Sequence, residues 1–177
     1  NLCIYILSAI FRLEIFAHLP GNSMKGENQM IIQSKRVFIS GQFVPAQIHI
    51  DQGSISKISS YGAMTPDIDY DCKLLVPGFI DIHTHGMGGY SADEPSAEGL
   101  IKWIKALPAE GVTSFLPTTT TQSRRTTIES LKNINMVKSQ RHIGAEIIGA
   151  HLEGPFLDCS YKGMHMEEYL SAPSVEE

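Results

Sequence analysis

The sequence predicts an α/β fold, with strand–helix repeats building a parallel sheet behind a small antiparallel sheet. Three observations carry this prediction. An apolar run, Leu74-Leu75-Val76-Pro77-Gly78-Phe79-Ile80, leads into Asp81-Ile82-His83-Thr84-His85 and then a glycine loop, Gly86-Met87-Gly88-Gly89. Beyond it, apolar runs alternate with segments of helical period. Ahead of it, residues 30–76 alternate at period two between turn signals.

The upstream module comes first. Ile31-Ile32 and Val37-Phe38-Ile39 flank polar residues, and Ser40-Gly41-Gln42 reads as a turn. Ala46-Gln47-Ile48-His49-Ile50 alternates, Asp51-Gln52-Gly53 turns, and Ser54-Ile55-Ser56-Lys57-Ile58 alternates again. His49 points away from both neighbouring isoleucines and reads as a solvent-facing strand residue rather than a ligand.

After Pro77 the expected order is strand 75–82, helix 97–107, strand 112–116, helix 127–138 and strand 146–152. Ser96 is the expected cap of the first helix, which Pro108 and Gly111 close. In the second helix Ile128, Leu131, Ile134 and Val137 form the expected core-facing stripe. Arg124 and Arg125 open that helix on a solvated face. The strand ends fall near His85, Pro117 and Glu153, 32 and 36 residues apart, about one strand–helix unit each. A (β/α)8, TIM-like barrel takes eight such units over typically ~250 residues. Only 101 residues run from Pro77 to Glu177. A partial barrel of about three units at 77–177, behind a sheet module at 30–76, is therefore expected.

Composition narrows the function. Hydrophobic residues make up 42% and charged residues 19%, so a core can form. The net charge is -5 with no strongly basic block, which argues against nucleic-acid binding. Cys3, Cys72 and Cys159 are far apart and form no Cys-x-x-Cys pair, as suits a reducing, cytoplasmic setting. Residues 2–19 are rich in Ile, Leu and Phe, but Arg12, Glu14 and His18 break the stretch, and no membrane span is expected. Residues 1–29 read as a non-native or disordered extension; the rival reading is a short amphipathic anchor.

Two strand ends carry the chemistry. On a strand, residues two apart share a face, so Asp81, His83 and His85 are expected together. Two imidazoles at a strand terminus can hold one metal ion through their ring nitrogens. The last strand ends in His151-Leu152-Glu153-Gly154-Pro155, where His151 and Glu153 share a face. In a parallel sheet Glu153 lies at the same, carboxyl end as the histidines, where it can complete the site. Asp81 is assigned a supporting role one alternation deeper. Thr118 to Thr121 read as a polar strand-to-helix loop that could also line a substrate site.

Pro77-Gly78-Phe79-Ile80-Asp81-Ile82-His83-Thr84-His85-Gly86 resembles the metal-binding signature of the amidohydrolase superfamily. Gly111-Val112-Thr113-Ser114-Phe115-Leu116-Pro117-Thr118-Thr119, His151-Leu152-Glu153-Gly154-Pro155-Phe156 and Lys162-Gly163-Met164-His165 narrow the resemblance to the N-acetylglucosamine-6-phosphate deacetylase family. It covers roughly residues 30–170, and the His-Leu-Glu-Gly-Pro block is its most specific part.

The resemblance implies a metal-dependent hydrolase with a (β/α)8 barrel and a small β-sandwich, to which 30–76 contributes. It implies release of acetate from N-acetylglucosamine 6-phosphate in amino-sugar catabolism. It makes Glu153 a primary ligand of a divalent metal, Zn or Fe, and lets His83 and His85 hold one or two ions with it. His165 and Met164 fall at substrate-binding positions. Two further metal-binding histidines and a catalytic aspartate lie downstream in the family, so this chain contains no assigned general base and is expected to be inactive alone. The full-length protein is expected to be a homodimer acting on a small sugar phosphate. Two alternatives stay open: another amidohydrolase, dihydroorotase-like or deaminase-like, or a non-catalytic fragment acting at most as a binding module.

Overall fold

The computed structural model describes the backbone of Ile4–Leu7 and residues 29–140 and 144–175. The expectation for residues 1–29 lies mostly outside them. The chain divides into two compact units, Asn1–Gly78 and Phe79–Glu177.

The first unit holds strands β1 (Ile4–Leu7), β2 (Gln29–Ile39), β3 (Gln42–Asp51), β4 (Ser54–Ser60), β5 (Ile68–Asp69) and β6 (Leu74–Pro77). They form one six-stranded sheet in the order β1-β6-β2-β3-β4, with β5 also paired to β2. The two expected pieces of the first strand are one, because β2 runs unbroken through its polar middle. A register shift between Ser34 and Val37 bends it, so its free edge takes β5 at Ile32 and Gln33 and β6 at Arg36 and Val37. These additions are parallel, so the sheet is mixed rather than purely antiparallel. The two hairpins turn on Ser40-Gly41 and Gln52-Gly53, all four residues at positive φ, as type I′ turns require.

Both faces of the β2–β3 centre are covered. Met30, Ile32, Ala46, Ile48 and Ile50 bury on one face with Leu75 and Val37. On the other face Gln33 and Gln47 are buried and hydrogen-bonded to each other and to the segment after β4. His49 lies in this unit, half-buried, with Nε2 2.8 Å from the Ser59 hydroxyl.

The second unit contains β7 (Phe79–Thr84), β8 (Gly86–Met87), β9 (Tyr90–Ser91), α1 (Ala97–Ala106), β10 (Val112–Thr119), α2 (Arg124–Lys138), β11 (Glu146–Ile147) and β12 (His151–Leu152). Strand β10 is central, with β7, β11 and β12 all parallel to it, the parallel sheet that strand–helix alternation predicts. Helix α1 begins where expected: the Ser96 hydroxyl accepts the Gly99 N–H at 3.1 Å. A 3-10 turn over Leu107–Glu110 follows, and Gly111 ends it in the left-handed region at φ 86°. Both helices pack on β10 and β11 through Trp103, Ile104, Ile134 and Val137, with the Trp103 and Phe115 rings 5.0 Å apart. Burying one such aliphatic side chain contributes roughly 1.5–3 kcal/mol.

Four further expectations are corrected. The apolar run 75–82 is not one strand: β6 joins the first sheet, Gly78 interrupts, and β7 joins the second. Nor is β7 buried. Phe79, Ile80 and Ile82 are 68%, 64% and 63% exposed, because among the described residues β7 has a strand partner, β10, on one edge only. The last strand is split into β11 and β12. From Phe115 to Thr118 β10 advances three residues while its partner advances four, from Ile147 to His151, so an extra residue breaks the ladder. In α2 the buried residues are Ser130, Asn133, Ile134 and Val137, while Ile128 is 41% exposed. A strict three-residue repeat drifts around a 3.6-residue helix, and Ile128, nine residues before Val137, reaches the opposite side.

Among the described residues no helix is long and apolar enough to cross a membrane.

Candidate metal centre

The carboxyl ends of β7 and β12 flank that of β10, and the polar side chains of the second unit converge there. Strand β10 ends in Thr118 and Thr119, both buried, and Thr121 just beyond is buried too. The His85 ring nitrogen Nδ1 lies 3.0 Å from the Thr118 carbonyl oxygen. A carbonyl only accepts, so Nδ1 carries the hydrogen, and in the neutral ring the lone pair sits on Nε2. The backbone N–H of Thr84 donates to the Thr118 hydroxyl at 3.0 Å, fixing the chain just before the ring.

That bare Nε2 lies 3.1 Å from Glu153 Oε2 and 3.1 Å from His83 Nε2. His83 Nε2 is in turn 3.4 Å from the same carboxylate oxygen. One ligand atom from each of His83, His85 and Glu153 lies within 4.8 Å of the others. A neutral His85 brings its lone pair against that of a carboxylate, an arrangement a cation between them relieves. Two imidazoles and one carboxylate are also the donor set that suits zinc, iron or a similar divalent ion. The residues present therefore fit a metal.

The surroundings hold this set in place. The backbone N–H of Glu153 donates to the Thr119 carbonyl at 3.3 Å, and the Thr121 hydroxyl donates to the Glu153 carbonyl at 3.2 Å. His151 Nδ1 donates to the Ile82 carbonyl at 3.0 Å, and its ring meets the His83 ring edge-on at 4.7 Å. His151 thus ties β12 to β7 beside a ligand.

The structure brings together His83, His85, Glu153 and His165. His165 is 8% exposed, with Nε2 3.5 Å from Glu153 Oε1, whereas the His83 and His85 contacts are to Oε2. Its neighbour Met164 is 85% exposed. Asp81 does not join the cluster: its Oδ1 accepts the His83 backbone N–H at 3.1 Å. Between Asp81 and Thr84 strand β7 advances three residues against two on β10, and the extra residue breaks the alternation expected to align Asp81 with the histidines. Sequence reasoning gave no role to the ring of His151 or to the Thr118 carbonyl. Backbone acceptors leave no side-chain signal, and for His151 the signal was its place two residues before Glu153.

Cys159 opens the 3-10 turn Cys159–Tyr161 beyond Glu153 and is exposed, and a hydrogen bond to Glu167 pushes its thiol up from the ordinary value.

Comparison with known proteins follows the same residues. The chain is 37% identical over 138 residues to N-acetylglucosamine-6-phosphate deacetylase of Bacillus subtilis, covering 73% of this chain and 34% of that protein. It is 32% identical over 131 residues to N-acetylgalactosamine-6-phosphate deacetylase of Escherichia coli O157:H7, covering 74% and 34%. The crystal structure of N-acetylglucosamine-6-phosphate deacetylase from Pasteurella multocida superposes with a TM-score of 0.73 at 26% identity, over 84% of this chain and 40% of that one. The chain thus spans about a third of the length of these curated relatives. The model of the amidohydrolase family matches residues 74–169, more than half of the sequence and every member of the cation cluster, so the chain belongs to the amidohydrolase family.

Proposed function

We propose that this chain carries the first metal ligands of an enzyme that hydrolyses the acetamide of N-acetylglucosamine 6-phosphate to glucosamine 6-phosphate and acetate. The convergence of His83, His85 and Glu153 on one point carries the reading. Deacetylase relatives with an amino-sugar phosphate in their names support the substrate class. The strand–helix order of the second unit is read as the opening of a (β/α)8 barrel, and the first unit as part of its accompanying β-sandwich.

In this reading His83, His85 and Glu153 hold one or two divalent ions, Zn or Fe. Such an ion supplies Lewis acidity toward the amide carbonyl. Thr118 keeps the His85 lone pair directed at the site. His165 and Met164 border the substrate, with the His165 Nε2 side turned to the centre. Asp81, bonded to backbone, is left out of the proton transfers.

The test is acetate release by the complete gene product supplied with Zn or Fe, with the 6-phosphates of N-acetylglucosamine and N-acetylgalactosamine compared side by side. Release from the glucosamine derivative, abolished by Glu153→Gln, is expected. No release from either sugar, or undiminished release by Glu153→Gln, sinks the proposal. Preference for the galactosamine derivative moves the substrate to its epimer, as in the Escherichia coli relative's name.

A further inference from the structure

We propose that Thr121 is a positioning residue for the cation centre, holding Glu153 with its hydroxyl and His165 with its backbone N–H. The inference rests on reading His83, His85 and Glu153 as cation ligands. Thr121 is 3% exposed and follows the end of β10 by two residues. Its hydroxyl lies 3.2 Å from the Glu153 carbonyl, and its N–H donates to His165 Nδ1 at 3.0 Å.

The second contact fixes a tautomer. A ring nitrogen that accepts a backbone N–H carries no hydrogen, so neutral His165 has its hydrogen on Nε2. Nε2 faces Glu153 Oε1 at 3.5 Å, as a donor beside an acceptor and not as a further ligand. One buried residue therefore sets the main chain of a metal-ligating carboxylate and the ring beside that carboxylate's second oxygen. Groups that orient a ligand in this way typically contribute 10–100-fold in metal affinity.

Gly154 is a separate sign that the chain is shaped around this hydroxyl. It sits at φ 88°, and a Cβ there would fall 1.9 Å from Thr121 Oγ1. Only glycine lets the residue after Glu153 pass so close to Thr121.

The experiment titrates the complete gene product with Co(II) alone, reading affinity and the visible ligand-field band, with circular dichroism as the check on folding. Thr121→Val is expected to bind Co(II) about tenfold more weakly with an altered band. Thr121→Ser, which restores the hydroxyl, is expected within about twofold of the parent. In the unaltered chain, a long-range 1H–15N correlation of the His165 ring is expected to show hydrogen on Nε2. That last measurement needs no variant to fold. Parent-like affinity and band in Thr121→Val overturn the proposal while leaving the cation centre standing. So does a Thr121→Ser chain that folds but binds as weakly as Thr121→Val, or an Nδ1–H tautomer at His165. A parent chain that takes up no Co(II), or takes it up equally well as Glu153→Gln, removes the centre and the proposal with it.

Discussion

Two polar clusters, one in each unit, differ in a way that separates structure from chemistry. In the first, both buried amide nitrogens have acceptors. Gln47 Nε2 donates to Gln33 Oε1 at 2.8 Å and to the Met64 carbonyl at 2.6 Å, and Gln47 Oε1 accepts the Met64 N–H at 3.1 Å. Gln33 Nε2 donates to Asp69 Oδ2 at 2.7 Å, and Gln33 Oε1 takes the Gly62 N–H at 3.1 Å. That cluster is complete as it stands and locks the segment after β4 onto the sheet. In the second, the His85 lone pair and the Glu153 carboxylate face each other at 3.1 Å. Buried and saturated amides specify a fold; half-exposed lone pairs crowded together specify a ligand. His83 and His85 have side chains 46% and 41% exposed, open enough to be reached.

The strongest test of this contrast removes a ligand. Structural zinc sites with four ligands bind with roughly 10–16 kcal/mol, about 2.5–4 per ligand. Glu153→Gln should therefore cost about 10²–10³-fold in Zn affinity, measured by competition with a chromophoric chelator. Unfolding by urea should barely change, since Glu153 anchors to β10 through its backbone. Affinity within threefold of the parent would place the cation elsewhere.

The converse change strikes the saturated cluster. Gln47→Leu removes the side-chain partners of the Met64 N–H and carbonyl, at part-buried positions, and one of the two donors to the buried Gln33 Oε1, so a loss of roughly 1–3 kcal/mol is expected in urea unfolding. Zn affinity should stay unchanged, as no group in that cluster is a ligand. If Gln47→Leu weakened Zn binding and Glu153→Gln destabilised the fold, the division of labour drawn here would be reversed.

How much of this was legible in the sequence depends on whether a signal was periodic. The His83, His85 and Glu153 constellation could be read because ligands at strand ends depend on type and spacing. The Ser96 cap and the hairpin turns were legible because each demands particular side chains. The bulges in β7 and between β11 and β12 were not, because an extra residue in a ladder changes pairing without changing composition. The buried face of α2 was misread for a related reason: apolar residues at intervals of three suggest one stripe, but geometry rotates them apart. Ile134→Ala should cost about 3 kcal/mol, and Ile128→Ala less than about 1. Equal losses in thermal unfolding would restore the stripe as the packed face.

The smallest effect tests the saturated cluster through its rim. The Asp69 carboxyl is held below its ordinary value of 3.8, first by the Asp71 backbone N–H, then by Gln33 and Tyr61. Asp71 is lowered in turn by Lys35, whose Nζ lies 2.6 Å from its Oδ1. A carboxylate with a lowered folded pKa adds stability above the unfolded pKa, and that stability is lost as pH falls through the folded value. The window therefore opens near pH 4 and extends downward. Both groups are exposed, so solvent screens the gain and the effect should be modest. Urea midpoints measured from pH 6 to pH 3 should decline less steeply below pH 4 in Asp69→Asn than in the parent. The same acid slope in both would mean that the rim contributes nothing, leaving the buried amides of Gln33 and Gln47 as the whole of the first unit's polar lock.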